Sequence, residues 1–234
     1  RCLLPAQNSW EGALIPEIEI IGLHDIKETI GYLQAREKGE DAGICRTQVD
    51  VRKILQDEKG QEKLDYGEIS GQRSAKRAAE VAAAGFHHLL LIGPPGSGKT
   101  MIARRLPTIL PPLSVEESLE VSSVYSIAGL LPAEPPLITH RPFWNPHHTI
   151  TGRALVGSGR VPKPGMVSLA HRGVLFLDEL PEFKRETLDI LRQPLEDRQV
   201  QIARSSGTYT YPADFMLVGA MNPCPCGFYP DRER

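Results

Sequence analysis

Cysteine is scarce in this chain, with 4 in 234 residues, aromatic residues make up only 6%, and 27 Lys and Arg nearly cancel 29 Asp and Glu to leave a net charge of −2. Each scarcity excludes something. So few cysteines, two of them close together at Cys224 and Cys226, do not form the framework of a small secreted disulfide domain, and a reducing, cytoplasmic setting is expected. Apolar runs such as Leu89 to Ile92 and Val174 to Leu177 are strand-length, far short of the roughly 18 to 20 residues that cross a bilayer, so no membrane partner is expected. The balanced charge settles nothing about nucleic acid, because binding depends on where Lys and Arg gather once the chain is folded. What remains, 41% hydrophobic and 24% charged, is the composition of an ordinary globular protein with room for one large or two small domains.

The chain opens at Arg1 without Met or a signal-like apolar region and stops in the polar run Tyr229 to Arg234, which reads as a chain cut at both ends. Residues 1–22 alternate short apolar runs with Pro5, Pro16 and Gly22, and Ile26, Ile30 and Leu33 follow at helical spacing within His24 to Lys38. This first segment, 1–38, is too small to bury a core of its own. Residues 39–65 are polar and charged and read as a linker holding at most one short helix. From Tyr66 the punctuation sharpens. An Ala-rich helix over Arg73 to Ala84 ends at Gly85 as C-cap, a strand spans His87 to Ile92, and a helix spans Lys99 to Leu106. Ser114 with Glu117 three residues on is a capping box that opens a helix through about Ser126. Gly129 to Gly165, rich in Pro and Gly, reads as an ordered insertion. Beyond it come a buried strand at Val174 to Leu177, a helix at Arg185 to Asp197, a hairpin of Gln199 to Arg204 and Thr208 to Tyr211, and a strand at Phe215 to Ala220. Strands alternating with helices imply an α/β sandwich around a parallel sheet.

The strongest chemical signal is Gly93-Pro94-Pro95-Gly96-Ser97-Gly98-Lys99-Thr100, a G-x-x-x-x-G-K-[ST] loop between a strand and a helix. Its glycines let the backbone curl so that N–H groups face phosphate oxygens, and the helix N-terminus adds a dipole that favours the anion. Lys99 then reaches the β- and γ-phosphates of ATP and Thr100 offers its hydroxyl to Mg2+. A second signal, Gly173 to Glu179, is an apolar strand closing on two carboxylates, 178 − 99 = 79 residues beyond the lysine. Asp178 serves Mg2+, and Glu179 polarises the attacking water. Asn222, after the last strand, is placed to sense the γ-phosphate or the lytic water. His147 and His148, adjacent in an extended stretch, are expected to point apart and so to suit one metal poorly, anchoring the insertion instead.

Together these motifs, preceded by Ile69-Ser70-Gly71-Gln72, resemble an AAA+ ATPase. More narrowly, the stretches His87 to Ile92, Pro146 to Ile150, Leu169 to Gly173, Leu191 to Asp197 and Met221 to Gly227 resemble the magnesium-chelatase-like ATPases of the ComM (YifB) type over nearly all of 66–234. Leu4 to Gly22 and the helix after it resemble the end of the Lon-protease-like domain, of the ribosomal S5 domain 2-like α+β fold, that precedes the ATPase in such proteins. The resemblance implies a P-loop NTPase three-layer sandwich with a helix-2 insertion, around Phe143 to Pro164, which with the hairpin faces the pore of a homo-hexameric ring. Arg153, Arg160 and Lys163 of the insertion and Arg198 and Arg204 around the hairpin are then phosphate contacts for DNA. It further implies a second cysteine pair downstream, which with Cys224 and Cys226 would close a zinc site. The arginine finger and second sensor of the family fall beyond the last residue, so the chain by itself is expected to bind ATP and hydrolyse it poorly. The resulting expectation is an ATP-driven motor that works on branched or single-stranded DNA during recombination of incoming DNA. The alternatives are a magnesium chelatase ATPase subunit, which lacks a Lon-like domain, and a nucleotide-gated scaffold, against which the intact Lys99, Asp178, Glu179 and Asn222 count.

Overall fold

The computed structural model describes residues 1–56, 64–159, 162–204 and 207–224. The chain divides into two compact units, one of Arg1–Lys59 with Leu131–Thr139 and the other of Gly60–Leu130 with His140–Arg234. In the first, β1 (Cys2–Pro5) and β2 (Ile20–Leu23) pair in parallel, Cys2 opposite Ile20, and Thr47 bridges Ile20 on its other side. The helix Ile26–Glu37 starts where the Asp25 carboxylate accepts the Glu28 N–H, a standard N-cap. Its buried residue is Tyr32, which joins Ile21 and Leu23, while Ile26, Ile30 and Leu33, expected to be its apolar face, are the exposed ones. Ala42 and Ile44 pack against that small cluster, so part of the stretch read as linker belongs to the first unit.

The second unit is built on a four-stranded parallel sheet in the order β3-β10-β7-β4, with β3 Leu89–Ile92, β4 Phe143–Trp144, β7 Val174–Leu177 and β10 Met216–Met221. Two short antiparallel pairs complete it, β5 (Gly157–Ser158) with β6 (Lys163–Pro164) and β8 (Gln199–Arg204) with β9 (Gly207–Pro212). Successive strand residues face opposite ways, and β7 is buried on both sides. Val174 and Phe176 join a core with the helices Arg73–Gly85 and Lys99–Arg105, whereas Leu175 and Leu177 join a second with Leu155, Leu191, Val200, Ile202 and Tyr211. Two cores on either side of one sheet make the expected three-layer α/β sandwich.

Most elements lie within two residues of their sequence-based limits, and three departures have physical causes. The Ala-rich helix includes Gly85, and Phe86 takes the left-handed turn at φ 52° that a glycine would be expected to supply. The expected helix over 185–197 is two, Arg185–Ile190 and Arg192–Asp197, because Pro194 has no N–H to give the carbonyl of Ile190. Phe143–Trp144, inside the presumed insertion, is the edge strand of the main sheet and too short to show a period of two. The capping box appears as read, with Ser114 and Glu117 each accepting the other's backbone N–H at 3.1 Å.

Candidate functional site

The register aligns Ile92 with Met221 and Leu177 with Gly219, so the loops after β3, β10 and β7 leave the sheet at its carboxyl edge side by side. Ligands of open α/β sheets gather at that edge. Gly93 donates its N–H to Met221 O at 3.2 Å, Pro95 and Gly96 turn the chain, and Ser97 N–H closes the turn on Pro94 O at 3.3 Å. Gly96 and Gly98, at φ 75° and 84°, hold left-handed conformations that a side chain would strain, and the helix starts at Lys99.

Lys99 Nζ sits in the bowl so formed. It donates to Gly93 O at 2.7 Å, to Pro94 O at 3.0 Å and to Asn222 Oδ1 at 3.1 Å, with Ser97 Oγ at 3.5 Å. An ammonium held by neutral oxygens exchanges them favourably for phosphate oxygens, because charge-assisted bonds are about twice as strong. Thr100 Oγ1 donates to Asp178 Oδ2 at 2.9 Å, which joins two hard oxygen donors that suit Mg2+, an ion that takes one or two protein oxygens and fills the rest of its shell from water and phosphate. Asp178 Oδ1 accepts the Glu179 N–H at 3.0 Å. Glu179 is left-handed at φ 52°, an uncommon state for a residue with a Cβ, and its carboxylate lies 3.6 Å from His148 Nδ1 in the loop after β4. The sequence-derived nucleotide residues Gly93 to Thr100, Asp178, Glu179 and Asn222 therefore meet at one edge. Gln72, noticed only as part of a motif, adds to it by donating from Nε2 to Ser97 O at 3.2 Å. A single side-chain bond across 25 positions leaves no trace in local pattern.

The two histidines differ from the expectation that they point apart. Their rings lie 4.1 Å apart at 35°, and His148 also meets the edge of Phe183 at 6.4 Å. The chain is not extended there but turns, with Ile150 N–H bonded to His147 O. Among the described residues no three His, Cys, Asp or Glu side chains gather as a metal centre. The zinc expectation rests on a second cysteine pair downstream, and of the first pair Cys226 lies outside the described residues.

The basic residues expected to touch DNA fall into two places. The insertion and the hairpin are packed together: Tyr211 donates its hydroxyl to Pro162 O at 2.7 Å, and Arg204 Nε reaches Gly159 O at 3.5 Å. Exposed Arg153, Lys163 and Arg204 belong to this combined body, and Arg160 lies outside the described residues. Arg198 is at the other end of the hairpin, a six-residue strand away from Arg204, and faces Asp214 at 3.8 Å.

That second place is a cleft at the amino ends of the strands, lined in part by Phe86, His88, Arg141, Arg172, Arg198 and Asp214. Its charges are spent on one another. Arg141, 8% exposed, donates to Pro111 O, Pro112 O, Arg172 O and Glu117, and Arg172 pairs with Glu120 and Asp214. His171 Nδ1 accepts the Asp214 N–H at 3.1 Å, so its proton is on Nε2, 3.2 Å from Glu120. Burial holds the His171 pKa below the ordinary value and outweighs the raising effect of Glu120. Arg141, His171, Arg172 and Asp214 were given no site role in the sequence, since their side-chain partners lie tens of positions away.

The family described as magnesium chelatase, subunit ChlI, matches residues 65–234. The uncharacterized protein YifB of Escherichia coli is 52% identical over 165 residues, covering 70% of this chain and 32% of that protein. The competence protein ComM of Haemophilus influenzae is 43% identical over 231 residues, covering 97% of this chain and 43% of that protein. Among solved structures, the complex of magnesium chelatase subunits BchI and BchD, built on a cryo-EM reconstruction, is similar at 26% identity and a TM-score of 0.54, over 69% of this chain and 56% of that chain. The chain spans less than half the length of the YifB and ComM relatives.

Proposed function

Because this chain belongs to the magnesium chelatase subunit ChlI family, a branch of the AAA+ P-loop ATPases, we propose that it is the ATP-hydrolysing core of a ring-forming motor that acts on DNA. The observation that carries the reading is the meeting of Lys99 with Asn222, 123 positions apart, and of Thr100 with Asp178, 78 positions apart, at one sheet edge. The loop N–H groups and Lys99 bind the phosphates. Thr100 and Asp178 would hold Mg2+, which would supply positive charge to offset that on the phosphoryl oxygens. Glu179 accepts a proton from the attacking water, and Asn222, already bonded to Lys99, orients the group being transferred. Exposed Arg153, Lys163 and Arg204 on the packed insertion and hairpin support DNA as the partner, as does the name of the competence protein from Haemophilus influenzae.

The test is Mg2+-dependent ATP hydrolysis by the full-length protein with no DNA, with branched DNA and with single-stranded DNA, using Lys99→Ala as blank. Stimulation by either DNA is the expected result. Hydrolysis indifferent to DNA moves the reading to a chelatase-type motor, which the likeness to BchI and BchD favours, and no hydrolysis above the blank moves it to a nucleotide-gated scaffold.

A further inference from the structure

In a trans peptide the carbonyl of one residue and the N–H of the next point in opposite directions, so a loop that offers N–H groups to phosphate must keep the matching carbonyls turned away. Glycine lets such a loop curl and equally lets a peptide plane turn the wrong way. The plane between Ser97 and Gly98 is vulnerable in this respect. Gly96 and Gly98 flank Ser97 at φ 75° and 84°, and a Cβ on Gly96 would meet nothing within 4 Å, while one on Gly98 would meet only the end of the Met101 side chain at 3.6 Å, so packing holds the chain loosely there. The following helix does not hold the plane either, because its ladder starts with Ile102 N–H on Gly98 O at 3.0 Å, one residue past Ser97 O.

The bond that holds Ser97 O comes from outside the loop, where Gln72 Nε2 donates to it at 3.2 Å. Gln72 occupies the N-cap of the helix Arg73–Gly85, a place where side chains ordinarily bond their own helix, yet it makes no such bond. Its backbone is left-handed at φ 48°, uncommon for a residue with a Cβ, and the side chain leaves its helix for the loop. The base of that side chain is firm. Lys76, one turn on, donates from Nζ to Ile69 O at 2.9 Å and stands 5.6 Å over the Tyr66 ring, whose hydroxyl donates to Lys76 O at 3.1 Å, and Ile69 is buried in the core. At the other end of the segment, Arg105 pairs with Glu68 and donates to Asp65 O at 3.1 Å. Residues 65–72 therefore grip the helix Lys99–Arg105 at its last residue and the loop just ahead of its first. We infer that Gln72 is a positioning residue for nucleotide binding, one that fixes the Ser97–Gly98 peptide so that Ser97 O faces outward and Gly98 N–H faces the phosphates. Gln72 itself touches neither phosphate nor metal, and it acts only through that plane.

This rests on the nucleotide-binding half of the ATPase reading, and the experiment separates the two. In the full-length protein, wild type, Gln72→Met, Gln72→Gly and, as blank, Lys99→Ala are titrated calorimetrically with ADP in Mg2+, then compared for ATP hydrolysis and thermal midpoint. Gln72→Met keeps the side-chain length and the left-handed strain and removes the amide donor, whereas Gln72→Gly removes the strain as well. Both are expected to raise Kd for ADP and KM for ATP about fivefold, with kcat within about twofold of wild type. The thermal midpoint should be unchanged in Gln72→Met and unchanged or raised in Gln72→Gly. A Met variant that binds ADP as wild type does overturns the inference. So does a Gly variant that binds like wild type, which would place the effect in side-chain bulk rather than in the donor, and so does weaker binding that follows a lowered midpoint in both. Wild type that binds no more ADP than the blank overturns this inference and the ATPase reading together. Wild type that binds ADP and hydrolyses no ATP overturns the ATPase reading alone, and the Kd values then decide the role of Gln72.

Discussion

At the carboxyl ends of β3, β10 and β7 the charged groups hold partners they can exchange; at the amino ends of the same strands they hold partners they cannot. Lys99 is bonded to loop carbonyls and an amide, and Thr100 to Asp178, all reachable by solvent and all weaker partners than a triphosphate with its metal. Arg141 instead has all three side-chain nitrogens bonded to backbone oxygens or Glu117 beneath the surface, and Arg172 bridges Glu120 and Asp214. Both ends contain uncommon backbone. Gln72 and Glu179 are left-handed at the first, and Phe86, Arg172 and Arg198 at the second. Strained torsions and dense charge thus do not by themselves mark a reactive site. What separates the two ends is whether the polar groups are already satisfied by the protein.

The sharpest way to break this contrast is to remove one cation from each end. Lys99→Ala is expected to weaken nucleotide binding on the order of 1,000-fold, ~4 kcal/mol, with the thermal midpoint unchanged, as read by fluorescent-nucleotide titration beside calorimetry. Arg141→Ala should do the reverse, costing about 3 kcal/mol of stability by removing the Arg141 donors from Glu117 and three carbonyls, while nucleotide affinity in the folded protein stays as it was. Equal effects of both variants on both readouts would abolish the distinction.

Proton uptake tests the same end more gently. His171 and His88 accept backbone N–H bonds on Nδ1, from Asp214 and Leu217, and burial lowers the pKa of each. A histidine with a lowered folded pKa binds fewer protons than the unfolded chain, so its stability contribution is present above 6.5 and is lost as pH falls through the folded value. Denaturant melts from pH 7.5 to 5 should show stability falling by at most about 1.4 kcal/mol per pH unit for each proton gained, and His171→Gln should flatten part of that slope. The smallest effect is expected at the hairpin tip. Arg204→Ala should leave stability within about 0.5 kcal/mol and lower the salt dependence of DNA binding by about one unit of log–log slope, whereas Arg198→Ala, paired with Asp214 at the other end, should change that slope less.

Several of these features could be read from the chain alone, and for one reason: their information is local. The loop from Gly93 to Thr100 is contiguous, its glycines state their own torsions, and Ser114 with Glu117 closes a box across a single turn. The strand Val174–Leu177 announced itself by being apolar on both faces. Where pattern was short or partners were distant, the reading failed. Two residues, Phe143 and Trp144, carry no period, the left-handed Phe86 follows a glycine that seemed the natural stop, and the helical spacing of Ile26, Ile30 and Leu33 marked the exposed side of its helix. His147 and His148 were judged by the geometry of an extended chain, and a turn closed at Ile150 put their rings together.

The sequence by itself determined which residues can hold a nucleotide, because the curl of a glycine-rich loop and the burial of an apolar strand are decided by neighbouring torsions and side chains. Only the tertiary structure decided which of them meet. Placing β10 between β3 and β7 brings Asn222 to Lys99 and leaves Asp178 to Thr100, and bringing β4 beside β7 sets His148 against Glu179. Strand order follows from how two faces of one sheet bury their apolar residues against different helices, a condition on the whole chain that no short segment contains.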